Sequence, residues 1–114
     1  MESSQSFSAP PHGISPAALA GVRVVEMGQL IAGPFCGKTL GEFGADVIKI
    51  EAPETGDPLR NWRLIKEGTS VWWQVQSRNK RSVALDLRQK EGQDIARQLI
   101  AEADVLVENF RPGT

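Results

Sequence analysis

The loop Gly28-Gln29-Leu30-Ile31-Ala32-Gly33 is the stretch of this chain best placed to meet a ligand. It follows a short apolar run, Val22, Val24, Val25 and Met27, and precedes Pro34. A proline suits the first position of a helix, where its fixed φ is helical and no N–H is required. Residues 32–39 also match a relaxed phosphate-loop pattern, with Ala32 in the first glycine position and Gly37-Lys38-Thr39 at its end. A phosphate nest needs successive free N–H groups turned inward. Pro34 removes one of them, Phe35 and Cys36 crowd the approach, and Lys38 falls inside the helix, so nucleotide hydrolysis is disfavoured. No G-x-G-x-x-G run occurs, and the two glycines are expected simply to allow a sharp loop. Cys36 lies in the first helical turn, where the positive dipole end can lower a thiol pKa. The single histidine, His12, is far away in sequence, so Cys36 is expected to be buried and inert. One Cys and one His also argue against a Cys/His metal site and against an internal disulfide.

The basic groups form a second set. Arg78, Lys80 and Arg81 cluster before a strand, and Arg88 follows it. Arg88 and Arg111 are expected to share the carboxyl edge of a sheet with the 28–33 loop, where two guanidiniums can hold phosphates bidentately. Asn109 can read a purine edge and Phe110 can stack on it, although on the residues alone an ordinary strand-to-loop transition is the favoured reading of the pair.

The elements behind these residues alternate. Residues 22–27 form a strand, Pro34 opens a helix with Phe35, Leu40 and Phe43 on its apolar stripe, and Gly44 stops it. Val47, Ile48 and Ile50 form the next strand. Residues 52–58 are a loop by composition, Glu67-Gly68-Thr69 is a turn, and residues 70–77 are either helix or strand. Val83, Leu85 and Leu87 alternate as in a strand; residues 89–103 form a helix with Ile95, Ala96, Leu99 and Ala103 on one face; residues 104–108 close with a strand. Trp62, Trp72 and Trp73 are expected to pack. The pattern is that of an α/β fold, a Rossmann-like, mostly parallel sheet built from βαβ units. Residues 1–18 read as a disordered leader. A few parallel strands leave an edge and a face uncovered, so the chain is expected to be an incomplete part of a larger protein.

Bulk properties exclude several classes. A net charge of −1 gives no field directed at nucleic acid or an anionic membrane. No run of about 18 apolar residues exists, and the first residues carry no signal-peptide pattern. A cytoplasmic location is expected.

Several blocks together carry a resemblance. They are residues 19–26, Ala32-Gly33-Pro34, residues 40–51, Gly56-Asp57, Asn79-Lys80-Arg81-Ser82, Leu85-Asp86 and residues 103–113. In this order they resemble the amino-terminal part of class III CoA-transferases, over about residues 19–114. The resemblance implies a CoA-binding Rossmann-like domain, of which 19–114 is the first part, a second smaller domain, and a homodimer of two interlocked chains. It implies coenzyme A or acyl-CoA and a carboxylic acid as substrates, without a metal. It also implies covalent catalysis through an aspartyl-CoA intermediate, with the nucleophilic aspartate downstream of Asn109-Phe110 and so outside this chain, which alone is expected to be inactive. By position, Ala32 matches the CoA-contacting loop. Leu85, Asp86 and Arg88 match the segment beside the adenosine end, and Asn109 and Phe110 the adenine-side loop. Ile31 stands where formyl-CoA transferase has a glutamine, which argues against formyl or oxalate chemistry. Ala52 stands where that enzyme has an arginine. Two other readings stay open: an α-methylacyl-CoA racemase on the same fold, and a non-catalytic CoA-binding or structural fragment.

Overall fold

Two βαβ units make the framework. The computed structural model describes residues 16–114; the rest of the expected leader, with His12, lies outside the described residues. The first unit is β1 (Arg23–Glu26), α1 (Ala32–Glu42) and β2 (Asp46–Glu51). A 3-10 turn at Pro58–Asn61, a small hairpin of β3 (Ile65–Lys66) and β4 (Thr69–Ser70), and helix α2 (Val71–Gln76) follow. The second unit is β5 (Lys80–Ala84), α3 (Lys90–Ala101) and β6 (Val105–Val107).

The four long-range strands form one parallel sheet in the order β5-β2-β1-β6. The chain therefore steps outward from β1 to β5, then returns to the other side of β1. Consecutive side chains of a strand face opposite ways. On one face Val24, Ala45 and Val47 pack with Leu19, Val22 and Leu40. On the other Val25 and Ile50 pack against Ala96, with Leu99, Ile100, Val83 and Leu85 around them. One helix covers each face, which is a doubly wound sheet.

Helix α1 departs from the sequence expectation in two ways. It starts two residues earlier, at Ala32, so Pro34 is its third residue and not its first. Its inward residues are Gly33, Pro34, Gly37 and Gly41, whereas Phe35 and Phe43 are exposed. The glycines let the helix backbone lie close to the sheet. A Cβ at Gly37 would collide with Glu26 Oε1. Large side chains are consequently turned outward, and Cys36, expected to be buried, is exposed for the same reason. Gly44 stops the helix as expected, at φ 107°. In α3 the packed residues are Ala96, Leu99 and nearby Ala103, while Ile95 is exposed.

The irregular middle has clear local causes. Asp57 caps the 3-10 turn through its side chain, with Pro58 at the first position. Glu67 and Gly68, at φ 52° and 80°, make the hairpin turn. Ser70 Oγ accepts from Trp73 N–H, so residues 71–76 are helix and not strand. Trp62 and Trp72 meet edge to face at 5.7 Å, and Trp72 remains partly exposed.

Candidate functional site

The first crossover leaves β1 toward β2, and the chain later crosses to β6 on the opposite side of β1. That reversal opens a crevice beyond the carboxyl ends of β1 and β6, the place where ligands of open α/β sheets bind. Here it is a cleft of about 610 Å³ lined by Gln29, Leu30, Ile31, Ala32, Asn109, Phe110, Arg111 and Thr114.

Asn109 closes its floor. Its Oδ1 accepts from Gln29 N–H at 2.9 Å and its Nδ2 donates to the Gln29 carbonyl at 3.1 Å. The oxygen–nitrogen edge of the amide is thus used on the backbone of one residue and is not free to read a purine. The two glycines matter through close approach. A Cβ at Gly28 would lie 2.5 Å from Asn109 Oδ1 and 2.9 Å from Gly33 Cα. The left-handed conformation in this loop belongs to Leu30, at φ 65°. Ile31 precedes α1 without a side-chain cap, and both Ile31 and Ala32 line the cleft.

Of the site residues read from the sequence, Ala32, Asn109 and Phe110 line this crevice and Arg111 joins them. Leu85, Asp86 and Arg88 do not. They follow β5, which β2 separates from β1. Leu85 packs into the core under α3. Arg88 is spent on Asp86 at 3.0 Å, and that hydrogen bond holds the Asp86 carboxyl below its usual range and the guanidinium above its own. Arg88 and Arg111 therefore share an edge of the sheet but not one site.

Beneath the loop lies a set of charges that sequence reasoning passed over. Lys49 Nζ contacts Glu26 Oε2 at 2.6 Å, Asp57 Oδ2 at 2.9 Å and the Gly28 carbonyl at 2.9 Å. Lys80 Nζ contacts Glu26 Oε1 at 2.6 Å and donates to the Pro34 carbonyl at 2.8 Å. All four side chains are at most 3% exposed. Two ammonium groups balance two carboxylates, which is the condition for burying any of them. Burial pulls the Lys80 ammonium pKa down, against the pull of Glu26.

A second tier stands beside the first. Glu51 accepts from Arg60 at 2.7 and 2.8 Å, from Ser82 Oγ at 2.6 Å and from the Asp57 N–H at 2.7 Å. Burial opposes its ionisation, yet these donors, Arg60 first, prevail and hold its pKa at about 2. Arg60 in turn lies over Trp73 at 4.0 Å. The missed signal was present in the chain. Glu26 and Lys49 sit inside strands that read as buried on both faces, and parallel register places them side by side. Lys80, in the basic cluster before a strand, is buried where its two neighbours Arg78 and Arg81 are exposed.

Comparison with known proteins decides the family. A sequence profile of CoA-transferase family III matches residues 19–114. The chain belongs to CoA-transferase family III. It is 51% identical over 100 residues to the succinyl-CoA–D-citramalate CoA-transferase of Chloroflexus aurantiacus, covering 87% of this chain and 25% of that enzyme. It is 43% identical over 96 residues to the formyl-CoA:oxalate CoA-transferase of Escherichia coli, covering 83% of this chain and 23% of that enzyme. A crystal structure of a CAIB/BAIF family protein from Brucella suis superposes with a TM-score of 0.79 at 43% identity, over 87% of this chain and 27% of the other. The chain spans about a quarter of the length of these family III relatives. Its α/β sheet is thus part of a larger family fold. Among the described residues, no group of three or more His, Cys, Asp or Glu is placed to hold a metal ion, and no helix is long and apolar enough to cross a membrane.

Proposed function

We propose that this chain forms the carrier-binding front of an acyl-CoA:carboxylate CoA-transferase, and that the crevice between β1 and β6 receives coenzyme A. The observation that carries the reading is the crevice itself. It lies at the reversal of strand order and is lined by Ala32, Asn109 and Phe110. Ala32, Asn109 and Phe110 make the carrier contacts, whereas Leu85, Asp86 and Arg88 contribute at most from outside the crevice.

In the reaction, an aspartate carboxylate attacks the donor thioester and expels CoA thiolate, leaving an acyl-aspartyl anhydride. The thiolate attacks the aspartyl carbonyl, forming aspartyl-CoA and releasing the donor acid. The acceptor carboxylate then attacks aspartyl-CoA, and the expelled thiolate takes the acceptor's acyl carbon, regenerating the aspartate. A carrier held in the crevice keeps the thiolate in place between steps. None of the five aspartates of this chain is the nucleophile. Asp46, Asp57, Asp86 and Asp94 are each engaged by a cation and Asp104 by the Arg23 N–H, and none lines the crevice. Dicarboxylic acids are the acceptor class, supported by relatives that use succinyl-CoA with citramalate, malate or glutarate. Family membership supports a cytoplasmic homodimer.

Two measurements test this. Calorimetry with free CoA is expected to show binding that Ala32→Trp, which fills the crevice, abolishes. Labelled succinyl-CoA is expected to pass its CoA to a dicarboxylate in the presence of the intact enzyme. Absence of CoA binding would remove the site, and absence of exchange with every acid tried would remove the transferase reading.

A further inference from the structure

The buried charges touch the crevice loop and the first turn of α1 at three backbone points. Lys49 holds the Gly28 carbonyl, Asp57 Oδ1 accepts from Leu30 N–H at 3.0 Å, and Lys80 holds the Pro34 carbonyl. The middle contact falls on the residue of this loop with positive φ, and a leucine at φ 65° stays there only when its surroundings hold it. The same Asp57 oxygen also accepts from Leu59 N–H at 2.9 Å, while Oδ2 meets Lys49. Asp57 itself is fixed through its own N–H by Glu51. A neutral apolar core would serve stability as well as this cluster, and often better. What the charges add is direction, because Lys49 and Asp57 end on loop atoms and Lys80 on the first turn of α1.

We infer that Asp57 is a positioning residue for the carrier crevice: its carboxylate locks Leu30 in the left-handed conformation and thereby sets the shape of residues 29–32. The inference rests on the carrier-site reading above for its consequence, but not for its geometry. Asp57 is buried and does not line the crevice. It acts through the Leu30 peptide, with Lys49 on its other oxygen orienting the carboxylate.

A double-mutant cycle separates positioning from plain stability. Asp57→Asn is expected to weaken CoA binding about tenfold, the scale of one lost charge-assisted hydrogen bond. Glycine adopts positive φ without strain, so in a Leu30→Gly background the same substitution is expected to cost less than about threefold. Equal penalties in the two backgrounds would overturn the inference. Amide hydrogen exchange on the unaltered protein gives a readout that needs neither CoA nor a variant. Leu30 N–H is expected to be protected to the same degree as Leu59 N–H, since both bond one oxygen. Exchange of Leu30 at the rate of a free turn amide would also overturn the inference, even if the variants fail to fold. Failure of the unaltered protein to bind CoA, with Leu30 protected, would sink the carrier-site reading and leave the lock on the loop standing.

Discussion

The two faces of the sheet are built on different principles. Under α3 the buried contacts are apolar, with Val25, Ile50, Ala96 and Leu99 meeting without a buried charge. Under α1 Val24 and Val47 are similarly apolar, but Lys80 stands beside Val47, and toward their carboxyl ends β1 and β2 turn to Glu26, Lys49 and Glu51. The covering helices match. α3 is amphipathic, whereas α1 presents glycines so that its backbone lies against the charges. Hydrophobic burial is non-directional and tolerates small shifts. Ion pairs and hydrogen bonds specify particular atoms. The α3 face therefore keeps the sheet folded, and the α1 face also fixes the shape of the loop at its rim.

Removing Lys49 breaks this comparison most sharply. Lys49→Met would leave Glu26 and Asp57 buried with one cation fewer, and a broken buried pair costs about 3–5 kcal/mol. Chemical denaturation is expected to show a loss of that size, and the Leu30 amide should lose protection in the molecules that remain folded. A loss below about 1 kcal/mol would mean that water reaches the cluster freely. Ile50→Ala on the other face is expected to cost about 2–4 kcal/mol through a cavity. Its signature is different: stability falls while Leu30 protection in the folded state is kept. Loop disturbance of the same size in both variants would erase the distinction between the faces.

Much of the fold was legible in the sequence because apolar runs and turn residues alternate strongly. That pattern names strands and helices but not their order, which is why Arg88 was expected beside the 28–33 loop. The order depends on which side of β1 each crossover lands, a matter of packing between distant elements. Helix α1 was misread for a related reason. Apolar periodicity points to Phe35 and Phe43, whereas the buried face is a Gly33, Gly37, Gly41 repeat whose value lies in the absence of side chains. The crevice loop was found from its glycines. Its control was not, because Glu26, Lys49, Asp57 and Lys80 are scattered over 55 residues and meet only through parallel register and one loop.

The second tier offers a milder test by pH. The Glu51 pKa, about 2 in the fold, lies below its ordinary value of 4.5. The ionised form is therefore favoured by folding. Its contribution is complete above about pH 4.5 and is lost as pH falls from there toward 2. Glu51→Gln is expected to flatten the acid limb of a stability–pH curve over that window and leave the slope above pH 5 unchanged. An unaltered acid limb would show that Arg60 and Ser82 do not hold the carboxylate in solution.

The smallest effect belongs to a pair with the same chemistry and none of the burial. Arg81 meets Asp46 at 2.7 and 2.8 Å near the start of β2, but the two side chains are 69% and 46% exposed. In water such a pair gains little over its separated hydrated ions, and salt screens what remains. Arg81→Ala is expected to change stability by less than about 1 kcal/mol, a difference that should vanish in 1 M salt. The Lys49→Met loss should persist there, because screening ions do not enter the cluster under α1. If Arg81→Ala instead cost as much as Lys49→Met, ion-pair distance rather than burial and backbone attachment would govern the sheet, and the contrast between its two faces would lose its physical basis.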